Sequence, residues 1–243
     1  MALPFKTTTT YANGQAAQAK PFTWSYSRLK NYRNCPKKHY EVDLAKNFSE
    51  EEGEALKFGN EVHKAMELRV SKGVPLPPAI AHFEPEALKI LAYVPPGTIL
   101  LVEQKAALRR DFSACDYFDK GVWYRAKCDV VKVLGDAAIA IDYKTGKIVE
   151  DATQLGLMAA WVFAAYPQVQ KVATRYVWLG NHAQTDIMFT RADIVLLWNH
   201  LWPELEQYEH ACTTFTFPAK PSGLCKSWCP VTSCAFHGKG SPR

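Results

Sequence analysis

Two aspartates and a lysine stand at the end of the most strand-like part of this sequence. Residues 125–146 hold two apolar runs around Gly135-Asp136, and a Gly-Asp pair between such runs predicts a hairpin with a two-residue turn. That turn sets the register of the two strands and places Asp129 opposite Asp142. Directly opposite residues have Cβ atoms roughly 4.5–5.5 Å apart, so the two carboxylates would repel each other without a cation between them.

The lysine belongs to the same face of the predicted hairpin. Lys144 follows Asp142 by two residues, and alternate residues of a strand point to the same side of the sheet. The register also places Lys127 opposite Lys144. Such a face is either the solvated side of an antiparallel hairpin, covered by ion pairs, or a catalytic site. The Asp-x-Lys pattern is too short to decide between these two interpretations.

The composition bounds the class of protein. With 243 residues and 48% hydrophobic content, the chain can form one large domain with a substantial core. The net charge of +5 permits an anionic partner such as nucleic acid without requiring one. We find no apolar run of about 18 residues and no signal-peptide pattern, so we expect an intracellular protein without a membrane partner. Seven cysteines in a reducing compartment favour metal binding, cluster binding or buried thiols over disulfides.

The chain divides into a tail and a single domain. Residues 1–22 combine a threonine run with Gly, Gln and Ala, which predicts a flexible N-terminal tail. Residues 23–238 are predicted to form one domain, and its C-terminal segment 218–238 carries three clustered cysteines. Apolar periodicity and turn residues predict helices and strands throughout this domain. The predicted helices cover residues 25–32, 54–71, 84–93, 151–166 and 192–210, and the predicted strands outside the hairpin cover 98–107, 112–118, 172–179 and 185–190.

Local signals mark several helix boundaries. Ser25 is a candidate N-cap. Asp151, with Gln154 three residues later, has the arrangement of a capping box, which by itself is a sufficient reason for the glutamine. Pro203 is expected to interrupt the helix predicted over 192–210.

Two further polar residues stand in otherwise regular elements. His63 lies on the helix predicted over 54–71, four residues after Gly59. A single histidine on a helix is more often a packed or surface residue than a ligand. Glu103 is an acid within the apolar strand predicted over 98–107. It lies either on the solvated side of that strand or in a site.

The clustered cysteines predict a metal site. Cys225, Cys229 and Cys234 form a C-x3-C-x4-C run, and such a cluster in a cytosolic protein indicates metal binding. A closed thiolate site usually has four ligands. Cys35 is the best candidate for the fourth because a proline follows it, as one follows Cys229. His237 is a competing ligand that would favour zinc, and spacing alone does not separate zinc from a 4Fe–4S cluster.

Taken in order, these motifs resemble the RecB-like branch of the PD-(D/E)XK nuclease superfamily. They are most similar to its iron–sulfur members, which are the AddB nuclease domain and the CRISPR-associated RecB-like exonucleases. The resemblance covers roughly residues 24–238. The residues that carry it are Ser-x-Ser-x-Leu and Cys-Pro near the start, Gly59-x-x-x-His63, Glu103, Asp129, Asp142-Tyr143-Lys144-Thr145-Gly146, Gln154 and the three clustered cysteines.

The resemblance implies an α/β (mixed α+β) fold with a restriction-endonuclease-like core, in which a mixed sheet is flanked by helices. It also implies a site for Mg²⁺ or Mn²⁺ and a 4Fe–4S cluster that ties the N- and C-terminal segments together. The implied metal ligands are His63, Glu103, Asp129 and Asp142. The implied catalytic residues are Asp129, Asp142, Lys144 and Gln154. The implied cluster ligands are Cys35, Cys225, Cys229 and Cys234.

The sequence departs from the family pattern at two places. The family usually has Gln-x-x-x-Tyr after the active-site strand, and here position 158 is Met. The cysteine spacing also differs from the common C-x2-C-x5-C, although the first and last cysteines are equally far apart.

The expected function is therefore metal-dependent DNA hydrolysis. Carboxylates suit hard divalent cations, an imidazole ligand favours Mn²⁺, and a lysine beside the metal stabilises transition-state charge. We expect an exonuclease that acts on single-stranded DNA ends in recombination, repair or DNA processing. The alternatives are a catalytically silent DNA- or protein-binding module with the same fold, and a zinc-containing protein with an unrelated role. No Gly-rich Lys-Ser/Thr phosphate loop is present in the sequence, so a helicase or recombination partner would be a separate polypeptide.

Overall fold

A five-stranded mixed sheet forms the centre of the computed structural model, which describes residues 9–10, 16–17, 21–92, 94–149 and 151–239. Its strands lie side by side in chain order, and β5 and β6 are parallel while the other neighbours are antiparallel. Two short strands, β1 and β2, pair separately, and the rest of the predicted tail through residue 20 lies outside the described residues. The strands are β1 (Thr9–Thr10), β2 (Ala16–Ala17), β3 (Ile99–Arg109), β4 (Val122–Leu134), β5 (Ala137–Lys144), β6 (Lys171–Trp178) and β7 (Ala183–Phe189).

Helices cover both faces of this sheet, which confirms the predicted mixed sheet flanked by helices. In the part of the chain that the structure describes, no helix is long and apolar enough to cross a bilayer. The helices are α1 (Tyr26–Asn34), α2 (Pro36–His39), α3 (Glu54–Lys72), α4 (Glu84–Leu91), α5 (Thr153–Ala165) and α6 (Arg191–Thr214). A π-helical turn (Tyr40–Leu44) follows α2, and short 3₁₀ helices cover Pro78–Phe83, Leu179–Asn181 and Gly223–Cys225.

Two hydrophobic cores hold the layers together. On one face, α5 and α6 pack on the sheet together with Trp24 and Leu29. On the other face, α3, α4 and the turn before α4 cover the sheet through residues such as Val62 and Met66. Helix α5 is buried on almost every side, from Leu155 through Phe163, because it lies between the sheet and α6. Its sequence is therefore apolar throughout rather than amphipathic.

The hairpin forms in the predicted register. Leu134 pairs with Ala137, and Gly135 takes φ +60° at the first turn position, where a side chain would be unfavourable. The ladder of paired residues ends at Val130–Ile141, one pair before the two aspartates. The two acids thus stand where the strands begin to separate.

The predicted pairing of Lys127 with Lys144 is wrong. Because the β4–β5 ladder has already ended, Lys127 pairs instead with Lys105 on β3. Its ammonium group contacts the carboxylate of Glu103.

In strands β3 and β4, the alternation of side chains between the two faces of the sheet shifts by one residue beside the site. Val131 and Cys128 of β4 both belong to the core under α5, although residues three apart in a regular strand point to opposite faces. The change lies where Glu103 stands opposite Asp129, and these two residues do not pair. Glu103 has φ +56°, a left-handed conformation that non-glycine residues seldom adopt. The local distortion turns both carboxylates out of the regular ladder.

Two other predictions of secondary structure are wrong. Residues 112–118 do not form a strand, because Phe112 takes φ +65° and only an isolated bridge joins Ala114 to Leu108. Helix α6 is not interrupted at Pro203. The buried side chains of Leu201 and Leu205 hold both halves against the core, which offsets the hydrogen bond that the proline lacks.

We predict that Gly156→Ala destabilises the protein by about 1–3 kcal/mol through overpacking. A Cβ atom at position 156 would lie 3.0 Å from Cδ2 of Leu197 on α6, so the clash outweighs the better helix propensity of alanine. Urea unfolding of both single variants and of the Gly156→Ala/Leu197→Ala double variant measures the effect. The double variant should lose less stability than the sum of the two single variants, and strict additivity would contradict the packing argument.

Candidate functional site

Three of the predicted metal ligands meet where α3 crosses the separated strands. His63, Glu103 and Asp129 each place a ligand atom so that the three atoms lie within 4.8 Å of one another. Helix α3 approaches closely because Gly59 has no side chain; a Cβ atom there would lie 3.2 Å from Oγ1 of Thr145. One helical turn later, Nδ1 of His63 lies 3.2 Å from Oδ1 of Asp129.

Asp129 is fixed by the strand opposite it. Its Oδ2 accepts a hydrogen bond of 2.7 Å from the backbone N–H of Tyr143. This bond satisfies a donor of β5 that the ended ladder leaves without a strand partner. Asp129 is buried, so its carboxylate has little freedom to turn away from His63.

Asp142 belongs to a second group beside the first. Its Oδ1 accepts a hydrogen bond of 2.8 Å from Nε2 of Gln154, and its Oδ2 lies 2.5 Å from Nζ of Lys144. Lys144 also donates a hydrogen bond of 3.1 Å to Oε1 of Gln154, so each of these three side chains contacts the other two. Among the described residues, the group of ligand atoms within 4.8 Å of one another does not include Asp142. The structure thus brings all six predicted site residues to one place, in two adjacent groups.

The capping box predicted for Gln154 is wrong. Helix α5 begins at Thr153 rather than directly after Asp151, and Asp151 accepts a hydrogen bond of 3.0 Å from the N–H of Thr153. The side chain of Gln154 is therefore free to turn toward the sheet. Met158, one helical turn after Gln154, is buried in the core.

The electrostatics of the site favour a bound cation. Burial, followed by the negative charge of Asp129, raises the pKa of Asp142 to about 6, although Lys144 opposes this shift. Burial lowers the pKa of His63, but its hydrogen bond to Asp129 and the charges of both aspartates outweigh that effect and raise it overall. A divalent cation between Asp129 and Asp142 would offset the repulsion between their carboxylates. Three carboxylates and one imidazole are a donor set that fits Mg²⁺ or Mn²⁺.

Sequence reasoning missed two contributors to the site. The first is the backbone N–H of Tyr143, which the hairpin register could have indicated. The second is Tyr176 on β6. Its hydroxyl group donates a hydrogen bond of 3.1 Å to the carbonyl oxygen of Asp151 and lies 3.4 Å from Oε1 of Gln154, and its ring centroid lies 5.1 Å from Nζ of Lys144. Tyr176 pairs with Asp142 across the parallel β5–β6 register, and no local signal in the sequence indicates that pairing.

The four predicted cluster ligands also come together. Cys35, Cys225, Cys229 and Cys234 line one common pocket, to which His237 also contributes. Cys35 lies at the start of α2. Its sulfur accepts a hydrogen bond of 3.4 Å from the N–H of Lys220.

The remaining cysteines lie elsewhere. Cys128 is buried in the core, and Cys115 and Cys212 are half-buried. None of the three lines the pocket of the cysteine cluster.

Among solved structures, this fold is similar to that of a candidate exonuclease from Eubacterium rectale. The two chains share 13% identity over 90% of this chain and 92% of that one, with a TM-score of 0.53. A second structure, SSO0001, matches 80% of this chain and 76% of its own with 12% identity and a TM-score of 0.35. No curated protein matches the sequence.

The family model described as "PD-(D/E)XK nuclease superfamily" matches residues 23–234. This range includes both groups of the site and all four clustered cysteines. The chain therefore belongs to the PD-(D/E)XK nuclease superfamily.

Proposed function

We propose that this protein is a divalent-metal-dependent DNA exonuclease that hydrolyses phosphodiester bonds at single-stranded ends, and that residues 23–238 act as one nuclease domain. The observation that carries the proposal is the convergence of His63, Glu103 and Asp129 beside the Asp142–Lys144 pair. The name of the structural neighbour, a candidate exonuclease, supports action at DNA ends.

The proposed roles follow from the contacts. His63, Glu103, Asp129 and Asp142 would hold Mg²⁺ or Mn²⁺. When bound, such a metal lowers the pKa of a coordinated water and neutralises charge on phosphate oxygens.

Lys144 is held in place by Asp142 and Gln154. In this position its ammonium group can orient the attacking water and stabilise the charge that develops on the phosphate. Gln154 is a positioning residue for both partners, because its amide donates to the acid and accepts from the lysine.

We further propose that the cysteines bind a 4Fe–4S cluster that joins the two ends of the domain. In a tetrahedral zinc site with Zn–S bonds of 2.3 Å, the sulfurs would lie about 3.8 Å apart. Among the described residues, no three of the four sulfurs lie within 4.8 Å of one another. A 4Fe–4S cluster binds each thiolate through a different iron and therefore holds the sulfurs further apart than a single zinc ion does.

The biological setting is also a proposal. A reducing cytoplasm would keep the cysteines available as ligands. A separate helicase or recombination protein would supply the single strands, and the reaction would serve recombination or repair.

We predict that Asp142→Asn weakens Mn²⁺ binding by roughly tenfold or more and abolishes most DNA hydrolysis. The amide is nearly isosteric and relieves the repulsion from Asp129, and the side chain of Lys144 is partly exposed, so the folded protein should persist. Calorimetric titration of Mn²⁺ into both proteins measures the first effect, and an end-labelled DNA substrate measures the second.

Asp136→Asn is the matched control for this experiment, because Asp136 is an exposed acid in the turn of the same hairpin. It should behave as the wild type. Equal Mn²⁺ affinity in the Asp142→Asn protein would refute the proposed ligand. A wild-type protein that binds Mn²⁺ and DNA without hydrolysis would instead indicate the catalytically silent module.

Lys144→Ala should lower kcat by roughly 10²–10³-fold while leaving the Kd for DNA nearly unchanged, because the lysine acts on charge that develops during the reaction. Single-turnover cleavage and DNA titration separate the two effects. Lys147→Ala, which removes an exposed lysine three residues later, should change neither. Parallel losses of rate and affinity in the Lys144→Ala protein would make this lysine an ordinary phosphate contact.

Cys35→Ala and Cys229→Ala should cause equal loss of bound iron, of visible absorption and of thermal stability in anaerobically purified protein. A link between segments so distant in sequence constrains the unfolded chain, on the order of 5 kcal/mol in the loop-closure treatment of disulfides. Cys115→Ala, outside the pocket, is the control and should retain iron. Iron retained in the Cys35→Ala protein would exclude this cysteine as a ligand. Stoichiometric zinc in the wild type would show that the cysteines bind zinc and not an iron–sulfur cluster.

A further inference from the structure

The β3–β4 ribbon continues past the metal-binding group as an open, positively charged surface. Lys105 and Lys127 are opposite each other in the ribbon and both are exposed. They lie on the same face as the site, because the ammonium group of Lys127 contacts Glu103. Arg125 lies two residues before Lys127 and continues the same face.

The opposite face of this part of the ribbon is buried. Ala106, Tyr124 and Cys128 belong to the core under α5 and α6. Further along the ribbon, Ala107 and Trp123 are buried as well, so the basic face is confined to Lys105, Arg125 and Lys127, which are directed away from that core.

Two aromatic rings extend the basic face. Phe118 is 76% exposed, and its ring centroid lies 5.0 Å from Nζ of Lys105. Tyr117 packs edge-on against Phe118 with a centroid separation of 5.2 Å. The guanidinium of Arg125 lies 5.3 Å from the ring centroid of Tyr117 and donates a 2.8 Å hydrogen bond to its carbonyl oxygen. These contacts hold the ring of Phe118 in solvent, where it adds no buried apolar area to the fold.

The nearby acids do not cancel the basic character of the ribbon. Asp119 of the same loop is bound by Arg109 at 2.7 Å and by the N–H of Gly121 at 2.6 Å. Asp116 is exposed beside Tyr117 and adds one negative charge to this loop. Glu103 pairs with Lys127, which leaves Lys105 and Arg125 as the basic groups of this surface.

We propose that Lys105, Arg125, Tyr117 and Phe118 form a track that binds single-stranded DNA beside the metal site, an inference that rests on the proposed nuclease function. Aromatic rings that stack on bases, combined with cations that follow the phosphates, are how proteins bind single strands without sequence preference. Phe118 offers a free ring face for a base, and Lys105 offers a cation for the neighbouring phosphate.

The spacing along the ribbon suits this role. Antiparallel strands rise about 3.4 Å per residue, which places Lys105 about 7 Å along the strand from Glu103. The same rise places Arg125 about 14 Å from Asp129. The track therefore lies within a few nucleotides of a phosphate held at the metal site.

The test measures binding and hydrolysis separately with the full chain. Fluorescence anisotropy with labelled oligo(dT), in the absence of Mg²⁺ and Mn²⁺, gives Kd and its salt dependence. Hydrolysis of the p-nitrophenyl ester of thymidine 5′-monophosphate with Mn²⁺ reports the metal site alone, because this substrate has no neighbouring nucleotide to reach the track.

Phe118→Ala should raise the Kd roughly 5- to 150-fold, and Phe118→Trp should restore wild-type affinity. Lys105→Ala should reduce the slope of log Kd against log salt by roughly 0.7, the value for one phosphate contact on a single strand. Neither variant should change hydrolysis of the ester.

Two surface controls match these changes. Leu196→Ala removes an exposed apolar side chain of α6, and Lys171→Ala removes an exposed lysine at the start of β6. Both proteins should bind oligo(dT) as the wild type does.

Each outcome decides the proposal. The proposed track would be refuted if the Phe118→Ala protein bound oligo(dT) with wild-type affinity or if the Lys105→Ala protein kept the wild-type salt slope. It would also be refuted if the wild type did not bind oligo(dT). An equal loss of ester hydrolysis would also overturn it, by indicating structural damage. If the wild type binds oligo(dT) but hydrolyses neither the ester nor DNA, and the variants lose that binding, the result would support the track and refute the nuclease function.

Discussion

The repulsion between two buried carboxylates is the constraint on which the rest of this site depends. Asp129 and Asp142 stand on neighbouring strands, and both are buried. Burying one unpaired charge is already costly, so each acid needs its own compensation. Asp129 receives a backbone N–H and an imidazole. Asp142 receives Lys144 and an amide from α5. The early end of the ladder, the approach of α3 and the position of α5 all supply these partners.

Much of this arrangement follows from the sequence, and the reasons are local. A two-residue turn fixes a register over the whole hairpin, so the neighbouring positions of the two aspartates could be predicted from Gly135-Asp136. Cys35 could be matched to the distant cysteines because thiolate sites usually have four ligands and because a proline follows it, as one follows Cys229. What could not be predicted depends on contacts between distant segments. Gln154 satisfies the spacing of a capping box equally well, and only the packing of α5 on the sheet directs its side chain to the acid.

The departures from prediction share one physical origin, which is that tertiary packing outweighs local preference. A proline within a helix costs a hydrogen bond, yet α6 remains continuous because buried side chains hold it on both sides of Pro203. The shift of alternation in β3 and β4 is similar. Neither strand alone indicates it, since each has an ordinary apolar pattern on either side. It becomes visible only when the buried faces of both strands are compared.

The left-handed backbone at Glu103 has a consequence for how this protein can change. A non-glycine residue at φ +56° carries a conformational cost on the order of 1 kcal/mol. Glycine would remove that cost and, with it, a carboxylate. Thermal robustness and metal affinity therefore make opposite demands on a single position. A library of variants screened for heat resistance alone would be drawn toward losing this acid, whereas selection for activity would preserve the strained residue.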